Sequence, residues 1–564
     1  MRNKRKPLWM TMSVVFVLAL TVAGCSGGGN KTAESTEKQG TTEQTTEPKV
    51  EGNTEAKTAG WQLGSEPLDF TFYGNYDWYK MPEWGKDKTT AWIKENKKVN
   101  IKAISSGGGT AAKLNTMMAS NELPDVIWGE RQPDVERLIE ADMLVPIDQY
   151  MDKYPNLKKW LDPKAANMLR SSDGKLYIFP NWYTTRANGT AGWVVNKKIY
   201  NELGSPKLET FDDLYAYLKQ VKEKYPKIIP YETGLAKDGQ GVDMIYQGYK
   251  ENNPSYQSFY AVPQGDQLTS IYKDPDFREA RQFIAKLFRE KLATQDAFTQ
   301  TADQVKEKVV SGRVAVYASS NPTVDAMQGD AELKKTDPDA GYIMIWPLHK
   351  EGLDKNKIFA GNYKQLGWNG AVITKNAKDP EKIFAFLDWY TGPEGSALQM
   401  WGPPGPDGYW NGFDADGETP KYTDKYSSDS AGLGELQSKN DPFMWVGNTV
   451  YIDDNKAKFE ATLPMEKRNW STHYQYEITW KTQKDATEFV NLFPVPDSQE
   501  GEIRTRITDI YLEQLSKAAF AKSDQEVLDI LDKAHEDSVA AGYQQYLDYI
   551  TKRWHENLGK MAGK

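Results

Sequence analysis

From Trp61 onward, short runs that alternate apolar and polar residues are followed by longer stretches with helical spacing. Leu68-Asp69-Phe70-Thr71-Phe72 alternates as a half-buried strand does, and Val99-Asn100-Ile101-Lys102-Ala103 repeats the pattern. Between Ala111 and Asn121, Leu114, Met117 and Met118 recur at helical spacing, and Leu123-Pro124 stops the run. Asp125 to Trp128 is then a short buried strand, and Val135, Leu138 and Ile139 restore the helical period. Thr210 and Asp213 form a capping-box variant that opens a helix from Phe211 to Val221. Asp379-Pro380 predicts an N-cap and a first-turn proline leading into Ile383, Phe384 and Leu387.

Strands that alternate with helices of this length predict an α/β architecture with largely parallel sheets. No internal repeat of 20–50 residues is visible, and from Ile503 to the end only helical patterns remain.

Composition narrows the function. The chain has 564 residues, enough for two to four domains, and its 39% hydrophobic and 26% charged content excludes a multi-span membrane protein. A single cysteine excludes a disulfide framework and a cysteine-based zinc site, and four histidines leave little for a histidine-rich metal centre. The first 24 residues carry +4, so the remainder carries −13 against −9 for the whole. An acidic body argues against a nucleic-acid partner, whose binding face is basic. Aromatic residues are abundant, at 12% of the chain with 18 Trp and 31 Tyr.

Arg2, Lys4, Arg5 and Lys6 precede an uncharged stretch from Pro7 to Gly24, which ends in small residues before Cys25. That is the layout of a secretory signal, although 18 uncharged residues also approach the roughly 20 of a membrane-spanning helix. Val-Ala-Gly-Cys resembles the bacterial lipobox, which implies cleavage after Gly24 and acylation of Cys25 as a membrane anchor. Residues 25–60 hold no aromatic residue and only one large aliphatic, so a flexible tether of about 30–35 Å is expected there. The expected location is the outer face of the cell membrane.

Six segments in order resemble those of the family 1 extracellular solute-binding proteins. They are Lys113–Gly129 (KLNTMMASNELPDVIWG), Met143–Tyr154, Asp173–Pro180 (DGKLYIFP), Trp193–Lys197 (WVVNK), Gly312–Val316 and Gly370–Tyr390. The length and tryptophan content are most similar to the large Gram-positive lipoproteins that serve carbohydrate ABC importers. The resemblance implies a two-lobe periplasmic-binding-protein-like fold of type II, with a hinge and a ligand cleft between the lobes. The implied division is 61–185 with 362–395 for the first lobe, 186–361 with 396–502 for the second, and 503–564 as C-terminal helices. Chain crossings are expected near Pro180 to Asn196, near Phe359 to Trp368, and soon after Tyr390. It also implies a carbohydrate ligand, permease subunits as partners, a monomer, and neither enzyme activity nor a cofactor.

A sugar ring presents apolar C–H faces and a rim of hydroxyls, which aromatic faces and charged or amide groups complement. Ligands in α/β sheets sit beyond the carboxyl ends of strands. Candidates placed there are Asn75, Tyr76 and Trp78 after the first strand, with Trp182, Tyr183 and Arg186 at the first crossing. Tyr231 and Glu232, Trp346, Trp368, and then Trp401, Tyr409 and Trp410 complete the positions chosen by strand ends and crossings. Trp128, Glu130 and Arg131 match the place where the maltose-binding branch keeps an aromatic, an acid and an arginine.

Other chemistry is weakly signalled. Ser106-Gly107-Gly108-Gly109-Thr110 precedes a helix but lacks the Lys-Ser/Thr ending of a phosphate loop. The glycine in Asp414-Ala-Asp416-Gly417-Glu418 is misplaced for an EF-hand, and Lys222–Lys227 lacks the acids of the calcium loop found in alginate-type relatives, so no metal is expected. A surface-anchored polysaccharide hydrolase or lyase remains the alternative, because acidic, aromatic clefts also serve glycosidases; a peptide receptor is a third reading.

Overall fold

The computed structural model describes residues 60–187, 191–494 and 498–563. The basic start, the apolar stretch, Cys25 and the expected tether up to residue 59 lie outside the described residues. No helix among the described residues is long and apolar enough to cross a membrane.

Two mixed sheets organise the chain. The first has five strands in the order β2-β1-β3-β12-β4. These are β1 (Leu68–Gly74), β2 (Val99–Ile104), β3 (Val126–Glu130), β4 (Ile178–Asn181) and β12 (Asn369–Ile373). The second has four in the order β10-β5-β9-β6, formed by β5 (Gly192–Asn196), β6 (Ile229–Glu232), β9 (Val314–Ser319) and β10 (Tyr342–Ile345). Three two-stranded ribbons pair β7 (Ala261–Gln264) with β8 (Gln267–Ser270), β11 (Gly361–Tyr363) with β15 (Gln483–Asp485), and β13 (Trp410–Phe413) with β14 (Pro420–Tyr422).

β1 pairs in parallel with β2 and β3, and β6 with β9, as the alternation of strands and helices predicts. The other four pairings of these two sheets are antiparallel, so the sheets are not largely parallel as the sequence suggests, and the cause is simple. β3 and β4 run toward the crossings, so β12, which enters the first sheet from the second crossing, must run against both. β5 enters the second sheet from the first crossing and pairs antiparallel with β9 and β10 for the same reason. The carboxyl ends of β3, β4, β6 and β9 therefore converge on the crossings.

The box at Thr210 folds as the sequence predicts, whereas Asp379 precedes the helix Pro380–Thr391 without a side-chain cap bond. Thr210 Oγ1 accepts from the Asp213 amide at 3.1 Å while Asp213 Oδ2 accepts from the Thr210 amide at 2.9 Å, closing a reciprocal box on the helix Phe211–Lys224. Such a cap stabilises a helix by about 1 kcal/mol.

The third crossing falls much later than the sequence suggests. Ala397, Leu398, Trp401, Tyr409, Trp410, Phe443, Trp445 and Ile452 all pack with the apolar face of the first sheet. The chain leaves this core only between the helices Thr449–Thr462 and Trp470–Glu477, the latter placing Trp470 and Tyr474 against the core of the second sheet. Residues 397–452, expected with the second lobe, thus belong by packing to the first. After Tyr390 the sequence offers a proline-started helix, Pro393–Trp401, but no signal of which sheet it covers.

The tail forms three helices, Gln499–Ala519, Asp524–Ala540 and Tyr543–Met561, whose buried residues join the core of the second sheet. The last one also reaches across. Thr551 Oγ1 accepts from the Leu268 amide at 3.0 Å in β8, and Trp554 stacks on Phe489 at 5.4 Å. Its far end touches the helix Pro163–Leu169, and Met561 packs against the first core.

Candidate functional site

The first crossing leaves β4 at Trp182 through a forced turn. Trp182 has φ +57°, a conformation that non-glycine residues adopt at a cost of about 1–3 kcal/mol and that clusters at functional sites. Its amide donates to the Gly447 carbonyl at 2.8 Å, and a Cβ on Gly447 would stand 2.8 Å from its ring. From the other side Gly367, at φ +65°, approaches so closely that a Cβ would lie 1.9 Å from the Asn181 carbonyl oxygen. Two glycines from distant segments thus clamp Trp182 at the meeting point of the crossings.

Around it the aromatic residues converge. Tyr76 sits centroid to centroid 5.0 Å from Trp78, 4.9 Å from Trp128 and 5.6 Å from Trp368. Trp128 lies 5.9 Å from Trp368 and 5.0 Å from Tyr79. Trp78, Tyr79, Trp128, Trp182, Trp368 and Met444 line a cavity of about 250 Å³, with Lys80 and Asp441 as its charged members. Trp78 is 67% exposed and Trp368 44%, unusual for tryptophan in a folded chain, whereas Trp128 is 4% exposed and only borders the space.

Beneath these rings lies a polar layer. Asn369 Nδ2 donates to Tyr76 Oη at 2.9 Å, and Asn181 Nδ2 donates to Asn369 Oδ1 at 3.1 Å. Arg131 Nη1 donates to the carbonyls of Leu366 and Gly367 at 3.0 and 2.8 Å, fixing the second crossing. Burial pushes the Arg131 guanidinium down to about 10 against the pull of Glu130, and burial raises the Glu130 carboxyl. Asn75, buried, donates through Nδ2 to Asp134 Oδ2.

The structure therefore brings Tyr76, Trp78, Trp128, Trp182 and Trp368 together, with Asn75, Glu130 and Arg131 supporting them. The other candidates lie elsewhere. Tyr183 is fully buried, its hydroxyl 2.9 Å from Thr391 Oγ1. Arg186 pairs with Asp454 and stacks at 4.0 Å over Trp480, tying the first crossing to the later chain. Tyr231 is a core residue that stacks on Trp193 and donates to the Gly241 carbonyl at 2.8 Å. Glu232 is wholly enclosed by donors. Trp346 Nε1 donates to the Lys355 carbonyl at 3.0 Å, and Trp346 lines neither the aromatic cavity nor its polar neighbour. Trp401 and Trp410 are 1% exposed, and Tyr409 hydrogen-bonds Asp429 at 3.0 Å; they belong to the first core. β6 is covered on both faces at this end, so Tyr231 and Glu232, which point to opposite sides, are both buried.

Sequence reasoning missed Tyr79, Asn181, Asn369, Asp441 and Met444. Tyr79 was in reach, one residue beyond Trp78; Asp441 and Met444 come from a loop expected in the other lobe.

Across the crossings a second, polar cavity of about 490 Å³ is lined by residues of the helix Gln240–Tyr249, the loop after it, and the second crossing. Each of these two cavities has one lining carboxylate, Asp441 and Asp243 respectively. No group of three or more His, Cys, Asp or Glu among the described residues is placed to hold a metal ion.

Two curated relatives from Bacillus subtilis (strain 168) match about half of the chain. Lipoprotein LipO is 22% identical over 302 residues, 51% of this chain and 57% of its own length. The melibiose/raffinose/stachyose-binding protein MelE is 24% identical over 315 residues, 51% of this chain and 63% of its own length. The match thus spans less than two thirds of either relative. The S. pneumoniae ABC-transporter substrate-binding protein FusA, solved in complex with kestose, is similar in fold, with a TM-score of 0.63, 17% identity, and coverage of 88% of this chain and all of that one. Residues 73–397 match the model of the bacterial extracellular solute-binding proteins. With both sheets except the start of β1, and every crossing but the last, inside that match, the chain belongs to this family of solute-binding proteins, which are not enzymes.

Proposed function

We propose that the protein is a lipid-anchored receptor on the outer face of the cell membrane, which captures an oligosaccharide and delivers it to the permease of an ABC importer. The observation that carries the reading is the aromatic cavity at the crossings, where two exposed tryptophans stand over a buried polar layer. Flat rings of this kind cover the C–H faces of sugars, and amide and charged groups satisfy the hydroxyl rim. The names of MelE and FusA's bound kestose support an oligosaccharide over a peptide. A ligand that sits in this cavity and also touches the second half favours the closed arrangement by its differential affinity, the signal a permease can read.

The test is a calorimetric titration against a panel of neutral oligosaccharides. Trp78→Ala and Trp368→Ala are each expected to weaken binding by about 1–3 kcal/mol, the range for truncated aromatic anchors, with unchanged melting because both rings are exposed. Normal binding by both variants would remove the cavity from the site, and new reducing ends on long incubation would favour a hydrolase.

For the anchor, Cys25→Ala is expected to release the protein into the medium or leave it unprocessed, with its melting unchanged. Mature, membrane-bound protein from this variant on fractionation would rule out Cys25 as the acylated residue.

A further inference from the structure

The polar cavity shares no lining residue with the aromatic one, and part of its wall comes from the C-terminal tail through Tyr511 and Leu512. Its single lining carboxylate, Asp243, is held from behind. Arg281 is 2% exposed, and its Nη2 donates both to Asp243 Oδ1 at 3.0 Å and to Tyr511 Oη at 2.9 Å. The guanidinium packs at 4.6 Å over the Phe277 ring, which fixes its plane. Among the described side chains none donates to Asp243 Oδ2, and the Asp243 side chain keeps 21% of its exposure. Oδ1 is thus locked, while Oδ2, which a Cβ on Gly239 would approach to 2.0 Å, has no side-chain donor among the described residues. Gln240, Gln247, Gln257, Asn362 and Gln483 are among the other lining residues, with Lys237 as the one cationic side chain; of these amides, that of Gln483 and Oε1 of Gln257 are themselves buried.

A pre-positioned carboxylate oxygen among amides complements a hydroxyl-rich, uncharged ligand. Hydroxyls donate to it in charge-assisted bonds, whereas a ligand carboxylate placed against Asp243 itself would meet like charge and offer no donor. We propose that this cavity is a second subsite that takes a neutral sugar unit of the ligand, with Asp243 as its anchoring acceptor and the helix Gln499–Ala519 as part of its wall. The inference rests on the oligosaccharide reading above and extends it to charge selectivity. It also gives the tail a role in recognition.

The experiment titrates the full chain with stachyose, nystose and maltotetraose, and with tetragalacturonate as an anionic counterpart of equal length. The wild type is expected to bind a neutral tetrasaccharide more tightly than tetragalacturonate. Asp243→Asn should weaken that binding at least tenfold and narrow the preference. Because the new amide oxygen still accepts from Arg281 but leaves that buried cation without a counter-charge, which can destabilise the fold, Ser258→Trp serves as the second variant. Ser258 is exposed, lines the cavity and does not touch the Asp243 pair, so the indole fills the space without disturbing the core. It too should cost at least tenfold in affinity while the melting temperature holds. Wild-type affinity in a folded Ser258→Trp variant, or a wild-type preference for tetragalacturonate, overturns the subsite. If Trp78→Ala weakens binding while both polar-cavity variants bind normally, this inference fails and the oligosaccharide reading stands. If the wild type binds no tetrasaccharide at all, both fall.

Discussion

Glu232→Ala is expected to cost about 3–5 kcal/mol of stability, the range for breaking a buried charged network, while leaving the affinity of the folded fraction unchanged. The carboxylate is fully buried at the end of β6. It accepts from the Gly234 amide at 3.0 Å, Thr294 Oγ1 at 2.8 Å and Gln300 Nε2 at 2.8 Å, with Lys308 Nζ at 3.5 Å. Lys308 keeps Asp296 at 2.8 Å in the variant, so the loss comes mainly from the Gly234 amide and the Thr294 hydroxyl, left without an acceptor in the interior. Urea unfolding read by fluorescence gives the first number and titration gives the second. A variant with wild-type stability but no sugar binding would return Glu232 to the ligand site.

Trp445→Ala is expected to cost a similar 3–5 kcal/mol, as for a core tryptophan, and also to weaken binding. The ring has no exposed surface, stacks on Phe72 at 4.1 Å and lies 6.0 Å from Trp84. Its Nε1 donates at 3.0 Å both to Tyr79 Oη and to the Pro442 carbonyl. Tyr79 and Pro442 line the aromatic cavity, so the truncation removes packing and releases the cavity wall together. Trp445→Phe preserves most of the stack and loses the two bonds from the indole, so a loss of about 1–3 kcal/mol is expected. Equal melting of the Phe and Ala variants would show that the hydrogen bonds, rather than the packing, hold this wall.

The contrast between these two residues shows what the sequence carried. The strands at Leu68, Val99 and Asp125, the box at Thr210 and the helical tail were legible because each depends on neighbours a few residues away. The ordered segments from Lys113 to Tyr390 made the family legible as well. The aromatic positions were half legible. Trp78, Trp182 and Trp368 lie at strand ends and crossings and do line the cavity, but Trp401, Tyr409 and Trp410 satisfy the same rule and are buried. What separates them is the point at which the chain crosses for the third time. That point depends on which apolar face the helices after Tyr390 cover, and both sheets offer such a face. Trp445, which the sequence did not single out, is buried with them for the same reason.

The last helix makes the molecule more than a pair of jaws. Anchored on β8 and Phe489 and touching the helix Pro163–Leu169 at its far end, it lies across the joint like a splint. A swing of one half against the other must either break that seam or turn about a line close to it. Turning about the seam confines the largest displacements to the edges farthest from the splint and suppresses sliding. In the closure proposed above, the travel would then be set by a segment that follows both sheets in the chain, and shortening or stiffening that segment would retune the swing without altering a single side chain in the aromatic cavity.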